Sequence, residues 1–438
     1  MVKSFRKRIN ISSLFKLVIF CSVMSACSIC QAQHALLQDP ILKGAHIGTA
    51  VYNQTSQSWV DRYQSSLYFT PASNTKIVSS YLGMKFLKDS LPGWQINENA
   101  DSIFLLPMGD PSFLHPDFAY QPVADLIKNT NKQVVLCLPN TPDAFAMYGL
   151  GWAWDDYDQD YQPERNRLPI YGNVFTVAKT NNGVNLQPSS LAQGQDLAAI
   201  YSVWTRALHS NHFYPTGKST KAQVQQIPFI TDTNYSLVKT LIEDSLHPKY
   251  PLVIQKGFNT ASAHLLKTVP TDEFLKIMMN RSDNFYAEQI LLMTSAQLLN
   301  KLDEQAIIDT LLKTEFNFFP QKMQWADGSG LSRFNLNTPE NYIALLQKMQ
   351  GEFGFERIKN IFAQGGKGTL AAYYKNIPGV LYAKTGTLGN QVALSGYVIT
   401  NKGNQLIFSV LVANHPNPSS TGVRRAVEKY LTTLISKY

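Results

Sequence analysis

Alternating apolar and polar positions near both ends of the chain predict strands of an antiparallel sheet. Residues 44–52 and 58–63 form one predicted pair of strands, and residues 391–400 and 405–413 form another. A short polar turn joins the members of each pair, and the later turn has the sequence Asn-Lys-Gly-Asn, which is typical of a tight connection. The sequence therefore predicts one pair of strands towards each end of the chain.

Helical periodicity appears in three stretches between these two pairs. Apolar residues recur at near-helical spacing after Ser73, over 271–279 and over 285–299. A final amphipathic helix is predicted from Ser420. Strands and helices are thus both predicted in the terminal parts of the chain.

The middle of the chain has a different sequence pattern. Residues 89–263 alternate short apolar runs with Pro, Asn, Gly and Gln, which is typical of strands and loops. The full length of 438 residues is also large for one compact core. We therefore predict one domain formed by residues 33–88 and 264–438, with residues 89–263 as a strand-rich insert.

Composition and charge exclude several classes of protein. Hydrophobic residues make up 44% of the chain and charged residues 16%, which excludes a disordered chain and a coiled coil. The net charge of +8 is concentrated in residues 1–32, which hold five of the 39 basic residues and no acid, so the remainder carries 34 basic and 31 acidic residues. A nucleic-acid-binding protein usually keeps its charge in the folded body, so we expect no nucleic-acid partner.

Residues 1–32 have the features of an export signal. A basic segment over 3–8 precedes an apolar run over 17–26, which is too short to cross a bilayer as a helix. Small residues at positions −3 and −1 favour cleavage after Ala32, which predicts an exported, periplasmic protein. Cys27 offers an alternative, because the preceding Met-Ser-Ala resembles a weak lipoprotein signal and predicts a lipid anchor. No later apolar run reaches about eighteen residues, so we expect no transmembrane segment in the mature chain.

Several familiar catalytic sites are excluded by the motifs that the chain lacks. It has no His-Glu-x-x-His zinc motif, no Gly-x-Ser-x-Gly elbow and no glycine-rich phosphate loop. Cys137 is the only cysteine beyond the signal region, which excludes an intramolecular disulfide and a cysteine-based metal cluster. It lies in an apolar, strand-like run, so we expect it to fill a core.

A serine–lysine motif stands at the start of the first predicted helix. Ser73-Asn74-Thr75-Lys76 follows Pro71-Ala72. Residues three apart share a helix face, so the Lys76 amine can reach the Ser73 hydroxyl, and a backbone N–H at a helix start can face a developing oxyanion. Alone, the motif equally fits a serine helix cap followed by a surface lysine.

Two further motifs lie downstream. Ser282-Asp283-Asn284 is the only Ser-x-Asn in the chain, and Lys384-Thr385-Gly386-Thr387 contains the only Lys-Thr-Gly. Singly, they also fit a polar helix cap and an edge-strand lysine beside a glycine bulge. All three motifs in this order form the set of penicillin-binding proteins and class A β-lactamases. We therefore interpret them as parts of one site.

At these motifs the sequence resembles the class C low-molecular-mass penicillin-binding proteins, the D-alanyl-D-alanine carboxypeptidase/endopeptidase family. Four further stretches match the family pattern, namely residues 109–112, 151–156, 327–333 and 394–397. Lys367 departs from it, because the family often has an acidic residue there. The resemblance implies an α+β fold, in which a transpeptidase-like domain with an antiparallel sheet flanked by helices carries the strand-rich insert.

The resemblance also implies a reaction, which is cleavage of the D-Ala–D-Ala end of peptidoglycan stem peptides through an acyl-enzyme on Ser73. β-Lactams mimic this end and would inhibit the enzyme. Lys76 would be the base, with its pKa lowered by burial and by the Lys384 ammonium. Ser282 would relay a proton between Lys76 and the leaving amine, and Asn284 would orient Lys76 and the substrate. No metal or organic cofactor is implied.

Substrate binding is implied for the third motif. The backbone N–H groups of Ser73 and Thr387 would form the oxyanion hole. The terminal carboxylate would be bound by Lys384, Thr385 and Thr387, on a strand where Gly386 permits close approach.

Two charged residues are implied to read the side chain of the stem peptide. The resemblance places Asp156 and Arg333 beside the cleft, where they suit the ammonium and the carboxylate of diaminopimelate. The alternative is a structural salt bridge between the two residues.

Two other functions compete with the carboxypeptidase interpretation. A serine β-lactamase uses the same groups but is usually compact, without a long insert. A non-catalytic module that binds β-lactams or cell wall would have a decayed site, and the intact motifs argue against decay. Carboxypeptidase and endopeptidase activity both fit these residues.

Overall fold

The structure is a computed structural model, and it describes residues 36–180, 183–192, 202–219 and 223–438. The predicted export signal, with the alternative anchor at Cys27, lies outside these residues. Within the described part of the chain, no helix is both long and apolar enough to cross a bilayer.

Strands and α-helices are both distributed along the whole described chain. The strands are β1 (His46–Asn53), β2 (Ser58–Tyr63), β3 (Ser90–Glu98), β4 (Ser102–Pro107), β5 (Gln133–Leu138), β6 (Val174–Thr180), β7 (Gly183–Gln187), β8 (Ser202–Arg206), β9 (Phe213–Ser219), β10 (Val224–Pro228), β11 (Val253–Lys256), β12 (His264–Pro270), β13 (Ala363–Gln364), β14 (Leu381–Leu388), β15 (Gln391–Ile399) and β16 (Gln405–Ala413). The helices are α1 (Lys76–Leu82), α2 (Pro122–Asn129), α3 (Ser236–Leu246), α4 (Thr271–Arg281), α5 (Asn284–Leu299), α6 (Glu304–Thr314), α7 (Pro339–Phe353), α8 (Phe355–Ile361) and α9 (Ser420–Lys437).

The two ends of the chain combine in one antiparallel sheet. Its strand order is β13-β14-β15-β16-β1-β2. The first and last strands of the sequence lie side by side in it, with Ile47 opposite Val412 in the β1–β16 pair. The predicted strand pairs therefore belong to one sheet, although more than 300 residues separate them in the sequence.

Helices cover both faces of this sheet. On one face, Ile77 of α1 and Leu346 of α7 belong to the same buried cluster as Leu411 of β16. On the other face, Leu431 of α9 packs in a cluster with Phe408 of β16. Burying apolar side chains on both faces stabilises the sheet and fixes its helices, which confirms the predicted antiparallel sheet flanked by helices.

The insert has its own mixed sheet, with strand order β11-β5-β4-β3-β12. Strands β4, β5 and β11 are parallel neighbours, and the chain passes through α2 and α3 between them. Parallel strands need such crossover connections, which the sequence pattern did not reveal because it predicts only strands and loops here. Strands β6 to β10 form smaller antiparallel sheets. Cys137 is fully buried in β5, as expected of a core residue.

The boundary of the insert differs from the predicted one. Strand β12 pairs with β3, so the sheet of the insert extends to Pro270 rather than ending at residue 263. The sequence could not show this, because the pairing partner of β12 lies far away in the chain. Helix α4 begins directly after β12, at Thr271.

Candidate active site

Ser73 lies in a tight turn that leads into α1. Residues Ala72–Thr75 form a single 3-10 turn, and Lys76 is the first residue of α1. Ala72 is fully buried and has a φ of 49°, a left-handed conformation that is strained for a residue with a Cβ. This turn leaves Ser73 partly accessible while its neighbours are buried.

Lys76 contacts Ser73, as predicted from their spacing. Its buried Nζ donates to Ser73 Oγ at 3.0 Å, to Asn284 Oδ1 at 2.6 Å and to the Ser329 carbonyl at 2.8 Å. An ammonium has three N–H bonds, and these three acceptors use all of them. If Lys76 is neutral, its lone pair must replace one of these contacts, and the Ser73 hydroxyl is the acceptor that can donate in return.

The electrostatics of Lys76 agree with the predicted base in direction but only partly in cause. Burial lowers the pKa of Lys76 to about 8, while Asp327, Glu288 and Asp283 oppose this by raising it. The second predicted cause, the Lys384 ammonium, is not among the effects on Lys76. Instead, the pKa of Lys384 lies well below its ordinary value, because of its burial and the charges of Lys76 and Arg424.

The second and third motifs meet each other. Ser282 has a left-handed φ of 63° and ends α4 just before α5 begins. The buried Lys384 Nζ donates to Ser282 Oγ at 2.8 Å and to the Thr385 carbonyl at 2.8 Å. Ser282 therefore hydrogen-bonds Lys384, whereas the predicted proton relay links it to Lys76.

Strand β14 runs beside the serine turn. A Cβ at Gly386 would lie 2.7 Å from the Pro71 carbonyl oxygen and 3.1 Å from the Asn74 amide nitrogen, so only glycine allows this approach. The predicted close approach at Gly386 is therefore confirmed. Thr385 is buried, and the exposed Thr387 accepts a hydrogen bond from Arg424 of α9.

A buried polar network supports this arrangement. Asn74 Nδ2 donates to Ser395 Oγ at 2.7 Å, which ties the serine turn to β15, and Ser395 contacts Ser409 of β16 at 2.8 Å. Buried hydrogen bonds of this kind hold functional side chains in one geometry. The position of Ser73 is thus fixed from two strands as well as from α1.

The segment 327–333 is folded around two buried carboxylates. Asp327 accepts from the backbone N–H of Gly330 at 2.8 Å and of Ser332 at 2.6 Å, and Glu288 accepts from the backbone N–H of Ser329 at 2.7 Å. Gly330 has a φ of 82°, and a Cβ there would lie 1.9 Å from the Ala72 carbonyl oxygen. These bonds place the Ser329 carbonyl where Lys76 donates to it.

Comparison with known proteins places the chain in a family. Residues 30–434 match the model of the D-Ala-D-Ala carboxypeptidase 3 (S13) family. The chain belongs to this family. It is 24% identical to the penicillin-sensitive carboxypeptidase A of Dictyostelium discoideum over 80% of this chain and 78% of that one. It is 23% identical to the D-alanyl-D-alanine carboxypeptidase DacB of Haemophilus influenzae over 88% of each chain.

The fold is shared as well. The crystal structure of penicillin binding protein 4 (dacB) from Haemophilus influenzae matches with a TM-score of 0.70 and 17% identity, covering 93% of this chain and 99% of that chain. Together these findings confirm the predicted family, the α+β fold and the class of the enzyme, a serine D-Ala-D-Ala carboxypeptidase. No cluster of His, Cys, Asp or Glu within the described residues is arranged to hold a metal ion.

In this S13 chain the insert reaches into the site. The Tyr161 carbonyl accepts from Asn284 Nδ2 at 2.8 Å, and the Trp152 indole N–H donates to Asp327 at 2.9 Å. Buried Arg165 lies 3.3 Å from Glu288, and burial raises the pKa of that glutamate while Arg165 lowers it. The contact between Arg165 and Glu288 was not predicted, because neither residue belongs to a motif and 123 residues separate them.

The two residues predicted to read the stem peptide do not contact each other. Arg333 is exposed, and its Nη1 donates to the Gly389 carbonyl at 3.2 Å, just past the end of β14. Asp156 is half-buried and bonds the Tyr161 hydroxyl. Neither forms an ion pair with the other, so the alternative of a structural salt bridge between them is not observed in this part of the chain.

Proposed function

We propose that Ser73 is the nucleophile through which this carboxypeptidase forms an acyl-enzyme with the D-Ala-D-Ala end of peptidoglycan stem peptides. The observation that carries the proposal is the buried Lys76 amine 3.0 Å from the Ser73 hydroxyl. A serine hydroxyl needs a base to become a good nucleophile, and Lys76 is the group in contact with it.

Acylation begins with proton transfer from Ser73 to Lys76. With a pKa of about 8, roughly one Lys76 in ten is neutral at pH 7. Asn284 and the Ser329 carbonyl retain the other two N–H bonds, so the lone pair of the neutral amine faces Ser73 Oγ. As Oγ bonds to the peptide carbonyl carbon, the hydroxyl proton passes to Nζ, and the backbone N–H groups of Ser73 and Thr387 stabilise the oxyanion.

The leaving D-Ala then needs a proton on its amine. Ser282 accepts from Lys384, so the hydrogen of its own hydroxyl is free to point at the leaving nitrogen. As the C–N bond breaks, Ser282 gives this hydrogen to the leaving nitrogen and takes up the proton that Lys76 gained. Water later attacks the acyl carbon with Lys76 again as the base, which releases the shortened peptide and restores Ser73.

Two cationic side chains are available to bind the terminal carboxylate of the substrate. Lys384 and Arg424 lie at the two ends of the Lys-Thr-Gly-Thr motif, and neither has a carboxylate partner within the described residues. Because Thr387 Oγ1 accepts from Arg424, its hydroxyl hydrogen can be donated to a substrate oxygen, as can that of Thr385. Gly386 keeps the strand close to Ser73, so the bound carboxylate lies near the reacting atoms.

The same groups suit a β-lactam, which combines a reactive carbonyl with a carboxylate. The penicillin sensitivity named for the Dictyostelium relative supports this extension. We expect penicillin to acylate Ser73 and to leave slowly.

Labelled penicillin tests the assignment. Intact-mass analysis and peptide mapping should place one adduct on the peptide that contains Ser73, and Ser73→Ala should abolish both this adduct and D-Ala release from a diacyl-Lys-D-Ala-D-Ala peptide. Ser80→Ala is a matched control, because Ser80 is a buried residue of the adjoining helix α1 whose hydroxyl has no hydrogen-bond partner among the described residues. An adduct that persists in Ser73→Ala would refute the assignment.

The same experiment separates the two competing functions. Rapid turnover of penicillin instead of a stable adduct would favour a β-lactamase. A stable adduct without release of D-Ala would favour a non-catalytic binding module.

We also infer export of the chain to the periplasm, supported by the basic segment and short apolar run of residues 1–32. The mass of the protein secreted from an expressing cell tests this inference. A mature chain that starts at residue 33 is expected, a lipidated start at Cys27 would replace it with an anchored form, and an unprocessed chain would refute both.

A further inference from the structure

A cavity of about 720 Å³ lies in the insert, away from Ser73. It opens at the carboxyl ends of the parallel strands β5 and β11, where Leu138 and Lys256 line it, and it extends to Tyr235 at the start of α3. The carboxyl edge of parallel strands is where open α/β sheets bind ligands, and the volume suits a small molecule.

One buried polar group in the cavity lacks a partner. Tyr235 is 2% exposed, and its hydroxyl forms no hydrogen bond with any residue that the structure describes. Its backbone also has a left-handed φ of 63°. Buried hydroxyls are nearly always hydrogen-bonded, so this phenol is suited to donate to a ligand atom.

The wall around this phenol is largely apolar. Leu138, Phe145 and Met147 line it, and all three side chains are only partly buried by the protein. A ligand with an apolar body would cover these side chains and remove their surface from water. The cavity therefore favours a molecule with one polar end over a sugar or a nucleotide.

The charge that lacks compensation in the cavity is positive. Asp143 is the one carboxylate in the lining, and Arg167 holds it through Nε at 2.8 Å. Arg165 is compensated by Glu304. Lys256 is exposed at the rim and forms no ion pair within the described residues. An anionic group on the ligand would therefore meet an available cation.

We propose that this cavity binds a small amphipathic organic anion. Its apolar body lies against Leu138, Phe145 and Met147, an acceptor atom takes the Tyr235 hydroxyl hydrogen, and its anionic group pairs with Lys256. This site lies outside the peptide-cleaving centre and does not depend on the role of Ser73.

The cavity is connected to the catalytic lysine. Arg165 lines the cavity and lies 3.3 Å from Glu288, Glu288 holds the Ser329 backbone N–H at 2.7 Å, and the Ser329 carbonyl accepts from Lys76 at 2.8 Å. A ligand that shifts Arg165 would therefore change how Lys76 is held. Occupancy of the cavity is expected to alter the rate of acylation.

The fluorescent anion 8-anilinonaphthalene-1-sulfonate tests the site, because it combines an apolar aromatic body with a sulfonate. The full mature chain should bind one equivalent with saturation, with or without prior acylation by penicillin. Lys256→Glu should weaken binding by at least about tenfold, and Tyr235→Phe by about fivefold. Lys128→Glu, an exposed lysine of α2 outside the cavity, is the matched control and should leave binding unchanged.

In the described part of the chain, neither Lys256 nor Tyr235 has a side-chain hydrogen bond to lose, so both variants should fold, and thermal melting checks this. Equal binding of the dye by the wild type, Lys256→Glu and Tyr235→Phe would overturn the proposal. Competition then identifies the ligand chemistry. Displacement of the dye by decanoate assigns an aliphatic acid, displacement by N-acetylphenylalanine assigns a peptide-like acid, and failure of both at millimolar concentration would overturn the proposed class.

A second measurement tests the connection to Lys76. Saturating dye should change the penicillin acylation rate by about fivefold in the wild type and in Lys128→Glu, and this change should vanish in Lys256→Glu. An unchanged rate with the dye bound would overturn the connection. Only this measurement rests on the proposed function, since dye binding itself does not require acylation of Ser73.

Discussion

Two buried lysines stand at the centre of the site, and their surroundings differ. Lys76 has acceptors from three separate segments, and the carboxylates of Asp327 and Glu288 lie close enough to raise its pKa against the effect of burial. Among the described residues, Lys384 has two acceptors, the Ser282 hydroxyl and the Thr385 carbonyl. The charges around it, Lys76 and Arg424, are of its own sign.

The difference teaches how one residue type serves two tasks. Nearby carboxylates keep Lys76 close to half-protonated at about pH 8, where it can both take and return a proton. Lys384 lacks a counter-charge, so a substrate carboxylate bound beside it would supply the missing partner. The first environment suits a base, and the second suits a recognition group.

Replacing each lysine by methionine should separate these tasks and gives the largest expected effect. We expect Lys76→Met to lower the rate constant of penicillin acylation by at least about 1000-fold, since the base is lost. Lys384→Met should lower it by about 100-fold, since a charged contact to the carboxylate is lost. Stopped-flow acylation with a fluorescent penicillin measures both.

The methyl ester of the same penicillin sharpens this comparison, because it lacks the carboxylate. Lys76→Met should lose as much activity on the ester as on the acid, whereas Lys384→Met should lose much less on the ester. Equal losses of Lys384→Met on both compounds would show that Lys384 does not recognise the carboxylate.

Removing a carboxylate on the Lys76 side should have the next largest effect. Asp327 accepts from two backbone N–H groups, the Trp152 indole and Asn335, so Asp327→Asn places an N–H₂ group against buried donors. We expect the free energy of unfolding to fall by about 3 kcal/mol in urea titration. The exposed Asp309→Asn on α6 is the matched control and should change it little. Unchanged stability of Asp327→Asn would show that the 327–333 segment is not held as we describe.

The features of the two lysine sites that were predictable from sequence are those that depend on residues close together in the chain. Ser73 and Lys76 are three residues apart on one helical turn, so their contact follows from helix geometry. The two hairpins and the helices α1, α4, α5 and α9 were predicted from periodicity, whereas α6, α7 and α8 were not. The grouping of Ser282 and Lys384 in one site followed from the order of known motifs, whereas their direct contact, across 102 residues, was not predicted.

The parts that were not predictable depend on distant partners. Asn74 meets Ser395 across 321 residues, and Arg165 meets Glu288 across 123, with no local signature of either pair. Helices α2 and α3 were missed because they are short connections between parallel strands, in a region whose Pro and Gly residues favour loops. We predicted that Lys384 lowers the pKa of Lys76, whereas in the structure Lys76 lowers the pKa of Lys384. The carboxylates that raise the pKa of Lys76 approach it only in the folded chain.

Substrate choice should depend on residues outside the lysine pair and gives a smaller effect. We expect Asp156→Ala and Arg333→Ala each to lower kcat/KM for diaminopimelate-bearing peptides by at least about tenfold, or roughly 1.4 kcal/mol. Penicillin acylation does not involve that side chain and should change much less. Lys322→Ala, another exposed cation of the same domain, is the matched control. Equal losses of activity on peptide and penicillin, or a loss explained by lower thermal stability, would show that these residues stabilise the fold and do not read the peptide.

The smallest effect should be a change in pH dependence. Lys76 must be neutral to accept the Ser73 proton, so below its pKa of about 8 the wild-type acylation rate should rise about tenfold per pH unit and level off above it. Asp283 raises the pKa of Lys76, so Asp283→Asn should move the midpoint below that of the wild type and increase the rate at pH 7 by about twofold or threefold. Asparagine is also a good helix N-cap and can replace the bond from Asp283 to the Tyr286 N–H, so α5 should keep its start. Acylation rates measured from pH 5.5 to 9.5 at constant ionic strength decide the outcome. A midpoint that stays in place, or moves up, would mean that the titrating base is not the lysine beside this carboxylate.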